Sequence, residues 1–363
     1  MSLKINRNDK KYMSMAISLA KDREGLTGVN PSVGCVVVKN NNIISTGITG
    51  FGGTPHAETN ALQKINKKDL KGSNIYVSLE PCSHYGKTPP CTNIIIKSKI
   101  KKVFYGMDDL DSRSKKKSSN ILKNNKINVH RNFLIKEAKL LYKSYIHLHK
   151  SDFPYVIGKI ACSKNFITKS NKKYITNKYS LEVSQLLRYK SHGILISKNT
   201  LNSDNPLLNC RLDGLEKFSP VRFIIDKNLS SNIKSRIFKN SKNLKTYIFF
   251  NKNKYKMNKF KKYGVKCIYS PLDKDYNINL KYVLKKIKNL KINYLLVEGG
   301  KKLTASFLIK NLFNEFYLFK SNKVLNKKNK SSIKSLIKMF DKNFKNTEEI
   351  NTYLADDKLV RYY

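Results

Sequence analysis

His56-Ala57-Glu58, followed by Pro81-Cys82-Ser83-His84-Tyr85-Gly86-Lys87-Thr88-Pro89-Pro90-Cys91, brings one imidazole, two thiols and one acid into a single reading frame. Three such ligands hold a tetrahedral zinc ion and leave its fourth position to water, whereas a structural zinc takes a fourth protein ligand. His84 stands only two residues past Cys82, between Ser83 and Tyr85, and reads as part of a loop reaching into a pocket. Glu58 is poorly placed to share the metal with His56 but well placed to carry protons for the water. A lone His or Cys is more often a packed side chain than a ligand. The full set at this spacing reads as a catalytic centre.

Outward from the motif the pattern is α/β. Met13, Ala16, Ile17 and Ala20 recur at helical spacing behind Asp9, a candidate cap. Residues 33–38 are apolar and β-branched, Asn40-Asn41-Asn42 predicts a turn, and 43–47 returns as a second strand. After the glycine-rich 50–53 a helix begins at His56 and runs through Ala61, Leu62 and Ile65. His56 and Glu58 then occupy its first turn, where the helix dipole favours negative charge. A buried strand over 75–79 brings Cys82 and Cys91 to its carboxyl end, where open α/β sheets place their ligands. Ile94-Ile95-Ile96 and Val103-Phe104-Tyr105 continue as helix and strand, and Leu134, Ala138, Leu141 and Tyr145 predict one closing helix over 133–147.

The composition breaks at Lys150-Ser151-Asp152, which predicts domains over 1–149 and 150–363. Strands over 155–160, 193–196, 221–225, 246–250, 265–269 and 294–297 alternate with helix-like stretches, again an α/β signature. Behind the last of them, Glu298-Gly299-Gly300 leads into a helix-like 303–309, a junction that offers backbone amides to a phosphate.

A formal net charge of +47 on 363 residues raises nucleic-acid binding as an alternative. Lys is spread along the whole chain among Asn, Ile, Tyr and Ser, a bias that A/T-rich codons produce, and 40% hydrophobic residues suffice for packed cores. The six scattered cysteines, the polar start and the lack of a long apolar run lead to the expectation of a reducing cytoplasm, with no membrane partner.

On Asn30-Pro31-Ser32-Val33-Gly34-Cys35, Pro55-His56-Ala57-Glu58 and the 81–91 loop, the chain resembles the bifunctional deaminase/reductases of riboflavin biosynthesis. Nucleic-acid deaminases share the His-Ala-Glu and Pro-Cys elements but place two residues between their cysteines. The resemblance implies an N-terminal cytidine-deaminase-like α/β/α domain with Zn2+ on His56, Cys82 and Cys91, Glu58 as proton carrier, and Asn30, His84 and Lys87 at the substrate. It thins in the second half, where the marks are Lys159, Ile175-Thr176, Arg188, Thr200, Asp204, Pro206, Leu208, Arg211 and Val297-Glu298-Gly299-Gly300. There it implies a dihydrofolate-reductase-like α/β domain using NADPH. Arg188, Leu208, Arg211 and Glu298 would meet substrate, and Cys162, Tyr174, Thr200, Asp204, Gly299 and Gly300 would meet cofactor.

Several positions depart from the family pattern. Its Ser-Leu-Asp-Gly stands here as Ser163-Lys164-Asn165-Phe166, its Trp-Ile-Thr as Tyr174-Ile175-Thr176, an Asp before Pro206 as Asn205, and a substrate-contacting Ser as Lys172. A His expected after Gly47 falls at Thr49, and a glycine-rich stretch after Asp108 has become the Lys- and Ser-rich 112–119.

The implied activity is zinc-dependent deamination of 2,5-diamino-6-(ribosylamino)-4(3H)-pyrimidinone 5′-phosphate. NADPH-dependent reduction of its ribosyl group to ribityl would follow, in a cytoplasmic homo-oligomer that acts on a small molecule and not on nucleic acid. The competing readings are a nucleic-acid base deaminase and a deaminase whose second domain is a non-catalytic scaffold.

Overall fold

Asn6, three residues ahead of the predicted Asp9, caps the first helix. Its side chain accepts from the Asn8 amide at 3.4 Å while Asp9 accepts from the Asn6 amide at 3.0 Å, a reciprocal capping box. The computed structural model describes residues 6–86, 88–168, 174–326 and 332–363. The chain divides into two units, 1–151 and 152–363.

The first unit runs α1 (Arg7–Asp22), β1 (Gly34–Lys39), β2 (Asn42–Ile48), α2 (Ala57–Leu62), α3 (Lys67–Leu70), β3 (Asn74–Val77), α4 (Cys91–Lys97), β4 (Lys102–Tyr105), α5 (Lys117–Asn124), β5 (Asn128–His130), α6 (Ile135–Leu141) and α7 (Lys143–Lys150). The sheet order is β2-β1-β3-β4-β5, with β1 antiparallel to both neighbours and β3, β4 and β5 parallel. Side chains alternate between its faces. Val36, Val38, Tyr76 and Phe104 pack with Met13, Ala16, Ala138 and Leu141 beneath α1 and α6, while Cys35, Val37, Ile75, Val77, Val103 and Tyr105 pack with Ala57, Ala61, Ile95 and Leu122 beneath α2, α4 and α5. The result is a three-layer α/β/α sandwich.

Two local features set the helices that flank the site. A Cβ on Gly47 would lie 2.1 Å from the Ala57 carbonyl oxygen, so glycine lets the first turn of α2 press directly onto β2. The single closing helix predicted over 133–147 is two helices, α6 and α7, parted at Tyr142 (φ −89°, ψ 15°). There the Tyr142 hydroxyl reaches the Ser32 carbonyl at 3.1 Å and the Ser78 hydroxyl at 2.6 Å, tying the break to the sheet.

The second unit contains β6 (Tyr155–Cys162), α8 (Lys178–Tyr189), β7 (Gly193–Ser197), α9 (Lys198–Asp204), β8 (Val221–Ile225), α10 (Arg236–Lys239), β9 (Thr246–Phe250), α11 (Met257–Lys261), β10 (Lys266–Tyr269), α12 (Leu280–Asn289), β11 (Tyr294–Val297), α13 (Lys301–Ile309), β12 (Glu315–Lys320), α14 (Lys334–Asn343), β13 (Thr347–Glu349) and β14 (Lys358–Tyr362). Its sheet order is β10-β9-β8-β7-β11-β6-β12-β14-β13, parallel from β10 to β12 and antiparallel beyond. The aromatic-rich β12 and the strands after it are additions to the sequence expectation. Because β11 inserts between β6 and β7, the chain reverses its direction of winding there, and ligands of open parallel sheets sit outside the carboxyl ends at such a point.

Candidate active sites

In the first unit three elements converge. His56 is the N-cap of α2, Cys91 opens α4, and Cys82 lies in the loop after β3. Among the described residues, His56, Cys82 and Cys91 form the group of candidate metal ligands, with donor atoms all within 4.8 Å of one another. Nδ1 of His56 is 3.3 Å from Cys91 Sγ and 3.5 Å from Cys82 Sγ. Those separations match the N···S edge of about 3.6 Å in a tetrahedron built on ordinary Zn–N and Zn–S bonds. The donor set therefore fits zinc.

The electrostatics are those of a buried anion site. Cys82 is held below the ordinary thiol range by the Cys91 thiol and by His56, and the Cys91 amide donates to its sulfur at 3.2 Å. The Cys91 thiol itself is pushed up by Cys82 and by burial. Glu58 is 3% exposed; burial and the neighbouring Cys82 charge raise its carboxyl to about 7, with His56 opposing. A carboxyl poised near neutrality suits a group that accepts and returns protons.

His56, Glu58 and Cys82 open onto a cavity of about 360 Å³ also lined by Asn30, Thr49 and His84. Asn30 donates its side-chain amide to the Gly53 carbonyl at 3.0 Å, and Thr49 accepts from the Val33 amide at 2.9 Å. Lys87 lies outside the described residues. The same cavity is lined by Glu80, Asp109, Arg113, Tyr145 and His149, which the sequence reading left unassigned. Glu80 directly precedes Pro81-Cys82, and that adjacency is the one signal that could have singled it out.

In the second unit the carboxyl ends of β6, β7 and β11 gather several of the expected residues. Val297 is paired with Gly158, so Glu298 comes beside Lys159, whose Nζ is 3.9 Å from Oε2. Arg188, on α8, gives Nε to Glu298 Oε1 at 2.7 Å and Nη2 to Oε2 at 3.0 Å, and its Nη1 reaches the Asn209 carbonyl at 3.2 Å. Its fork is thus taken up by protein acceptors. Burial would raise the Glu298 carboxyl, but Arg188, Lys159 and Arg211 outweigh it and hold the group at about 2.

Gly300 caps α13 in an extended conformation (φ −71°, ψ 175°), and a Cβ there would point to Thr200 Oγ1 at 3.7 Å. Neither backbone strain nor crowding at the Cβ position demands glycine at that spot; a Cβ would make an ordinary van der Waals contact with α9, and only a larger side chain would fill the gap. Gly299 packs against Leu303. Cys162 is fully buried at the end of β6, Asp204 ends α9 before the left-handed Asn205, Leu208 is buried, and Tyr174 is exposed. The Ser163-Lys164-Asn165-Phe166 turn is held by a distant segment: Phe166 takes φ +63°, and Asn165 exchanges bonds with the Leu325 backbone at 2.7 and 3.1 Å. Lys172 lies outside the described residues.

A second cavity, of about 500 Å³, adjoins these strand ends. Ser197, Lys198, Asp226, Lys227, Lys302 and Leu303 are among its lining residues. Its lysines carried no signal in a chain with 72 Lys and Arg.

Residues 6–107 match the cytidine and deoxycytidylate deaminase zinc-binding region, and residues 155–347 match the RibD C-terminal domain. Riboflavin biosynthesis protein RibD of Aquifex aeolicus is 36% identical over 88% of this chain and 89% of its own length. The Escherichia coli protein of the same name is 29% identical over 87% and 88%. The solved structure of Acinetobacter baumannii RibD superposes with a TM-score of 0.80 at 27% identity, covering 98% of each chain. That of the Thermotoga maritima diaminohydroxyphosphoribosylaminopyrimidine deaminase/5-amino-6-(5-phosphoribosylamino)uracil reductase does so at 0.76 and 30% identity, covering 97% of each. No helix among the described residues is long and apolar enough to cross a membrane. With a zinc-region deaminase fold followed by a reductase fold, and relatives matched along nearly its whole length, the chain belongs to the RibD family, the bifunctional deaminase/reductases of riboflavin biosynthesis.

Proposed function

We propose that the first unit deaminates 2,5-diamino-6-(ribosylamino)-4(3H)-pyrimidinone 5′-phosphate and that the second reduces the ribosyl group of the product to ribityl with NADPH. The observation that carries the first half is the near-tetrahedral spacing of His56, Cys82 and Cys91 with the Glu58 carboxyl in the same cavity. Zinc, when held by these three residues, would supply a Lewis acid that makes water a nucleophile near neutral pH. Glu58 would carry one proton from the water to the ring nitrogen as the oxygen bonds to the amino-bearing carbon, and a second to the amino nitrogen as that carbon–nitrogen bond breaks, so that ammonia leaves as a neutral molecule. Asn30, His84 and Lys87 orient the pyrimidine and its phosphate.

In the second unit Arg188 has a supporting part: it fixes Glu298 and the Asn209 carbonyl at the strand ends. Arg211 is left for the substrate phosphate, beside Leu208. NADPH, when bound, would supply the hydride for the ribose C1, the bond from C1 to the ring oxygen opening and that oxygen taking a proton from solvent. Thr200, Asp204, Gly299, Gly300, Cys162 and Tyr174 are the residues that would hold it. Lys198 and Lys302 line the adjoining cavity together with Asp226, Asp273 and Asp275, and are the cations there that would meet an adenosine 2′-phosphate.

Supplying the diaminopyrimidine nucleotide with and without NADPH and weighing the products tests both halves. The deaminated uracil nucleotide without NADPH, and its ribityl form with it, are expected. Turnover of single-stranded oligonucleotides alone would overturn the deaminase substrate. Absence of NADPH oxidation with the deaminated intermediate would support the scaffold reading of the second unit.

A further inference from the structure

Glu80 is 3% exposed, and its carboxylate is consumed by one neighbouring segment. Oε2 accepts from the Asp109 and Lys116 amides, each at 3.0 Å, and Oε1 accepts from the Ser118 hydroxyl at 2.7 Å. Lys116 takes φ +61° at the entrance to α5, a left-handed conformation that is unfavourable for a non-glycine residue. Glu80 offsets that cost. It accepts the amide of Lys116 and places negative charge at the positive end of the α5 dipole.

The segment so anchored carries a second link. Ser114 is fully buried, and its hydroxyl lies 2.8 Å from His84 Nδ1 and accepts from the Ser83 amide at 3.4 Å. With Nδ1 engaged, Nε2 is the ring atom left for a ligand of the cavity that His84 lines. Asp109, Asp111 and Arg113, on the same segment, line that cavity as well. Residues 109–119 contain no glycine, so the shape of this stretch depends on side-chain anchors and not on backbone freedom.

We infer that Glu80 is a positioning residue for the deaminase: it fixes segment 109–118, through Ser114 it fixes the His84 ring, and thereby it sets the affinity of the pyrimidine nucleotide. The inference rests on the deaminase reading of this site. Its signature is a loss of substrate binding without loss of metal or of the chemical step.

The test uses the zinc-loaded full chain with the diaminopyrimidine nucleotide, measuring KM, kcat, zinc content and the dissociation constant of the deaminated product. Glu80→Ala is expected to raise KM and weaken product binding by about tenfold, with kcat within about threefold of wild type. Zinc content stays full. Glu80→Gln recovers most of the loss, because its amide oxygen still accepts from backbone amides while its NH2 can donate to Ser118. Ser114→Ala moves KM in the same direction, and the double variant with Glu80→Ala is no worse than Glu80→Ala alone. An unchanged KM in Ser114→Ala, or a fall in kcat or zinc at constant KM in Glu80→Ala, would overturn the inference. Should Glu80→Ala fail to fold, the single-hydroxyl variant decides the matter. A wild-type chain that holds zinc but does not turn over the nucleotide would instead overturn the deaminase reading itself.

Discussion

Arg188 and Glu298, 110 residues apart, form a two-pronged ion pair at 2.7 and 3.0 Å, with Lys159 completing the set at 3.9 Å. The carboxyl is held at about 2 against an ordinary 4.5. A carboxylate whose folded pKa lies below its unfolded one contributes stability that is fully present above about 4.5 and is lost as pH falls towards about 2. Thermal unfolding from neutral pH to about pH 3 should therefore show a decline in the wild type of which Glu298→Gln lacks this share. At pH 7 that variant is expected to lose about 3–5 kcal/mol, because Arg188 and Lys159 stay buried without their partner. Equal stability of the two proteins at pH 7 would refute the assignment.

Glu58 has the opposite sign. Its folded carboxyl is raised to about 7, so the metal-free protein loses stability as pH rises from about 4.5 to about 7. Glu58→Gln removes that cost. The metal-free variant should exceed the metal-free wild type by up to about 3 kcal/mol at pH 8, with the gap closing below pH 4.5. Unfolding curves in chelator at the two pH values measure it.

Cys82→Ser should lower zinc content of the purified chain and deamination together, since it replaces a thiolate ligand by a poor one. Reduction of the deaminated intermediate by NADPH should be untouched. Full zinc occupancy by metal analysis would remove Cys82 from the ligand set.

Gly300→Leu fills the space facing Thr200 Oγ1. The KM for NADPH should rise at least about tenfold while the deaminase step is unchanged. Arg211→Ala should raise KM for the nucleotide in the reductase step alone. Steady-state kinetics of the two half-reactions separates these outcomes, and equal loss of both halves would contradict independent sites.

The metal centre was legible because its chemistry restricts residue type and spacing: His56, Cys82 and Cys91 announce themselves before any fold is known. The α/β class followed from strand-length apolar runs such as 221–225 and 246–250. What escaped the sequence depends on pairings across long separations. Nothing local to Arg188 says that its fork will be spent on Glu298, and nothing local to Ser114 ties it to His84, 30 residues earlier. The break at Tyr142 has a similar origin, since the apolar stripe continues through it and only its hydroxyl's bonds to Ser32 and Ser78 mark the site. Asn6 displaced Asp9 as the cap because both residues of a capping box are polar and the pattern alone does not order them.

The most direct test of the account is the zinc content and product mass of Glu58→Gln incubated with the diaminopyrimidine nucleotide. One zinc per chain with deamination slowed by about 10²-fold or more is the predicted result, because the variant keeps every ligand and lacks the proton carrier. Deamination at the wild-type rate, or loss of the metal from that variant, would contradict it.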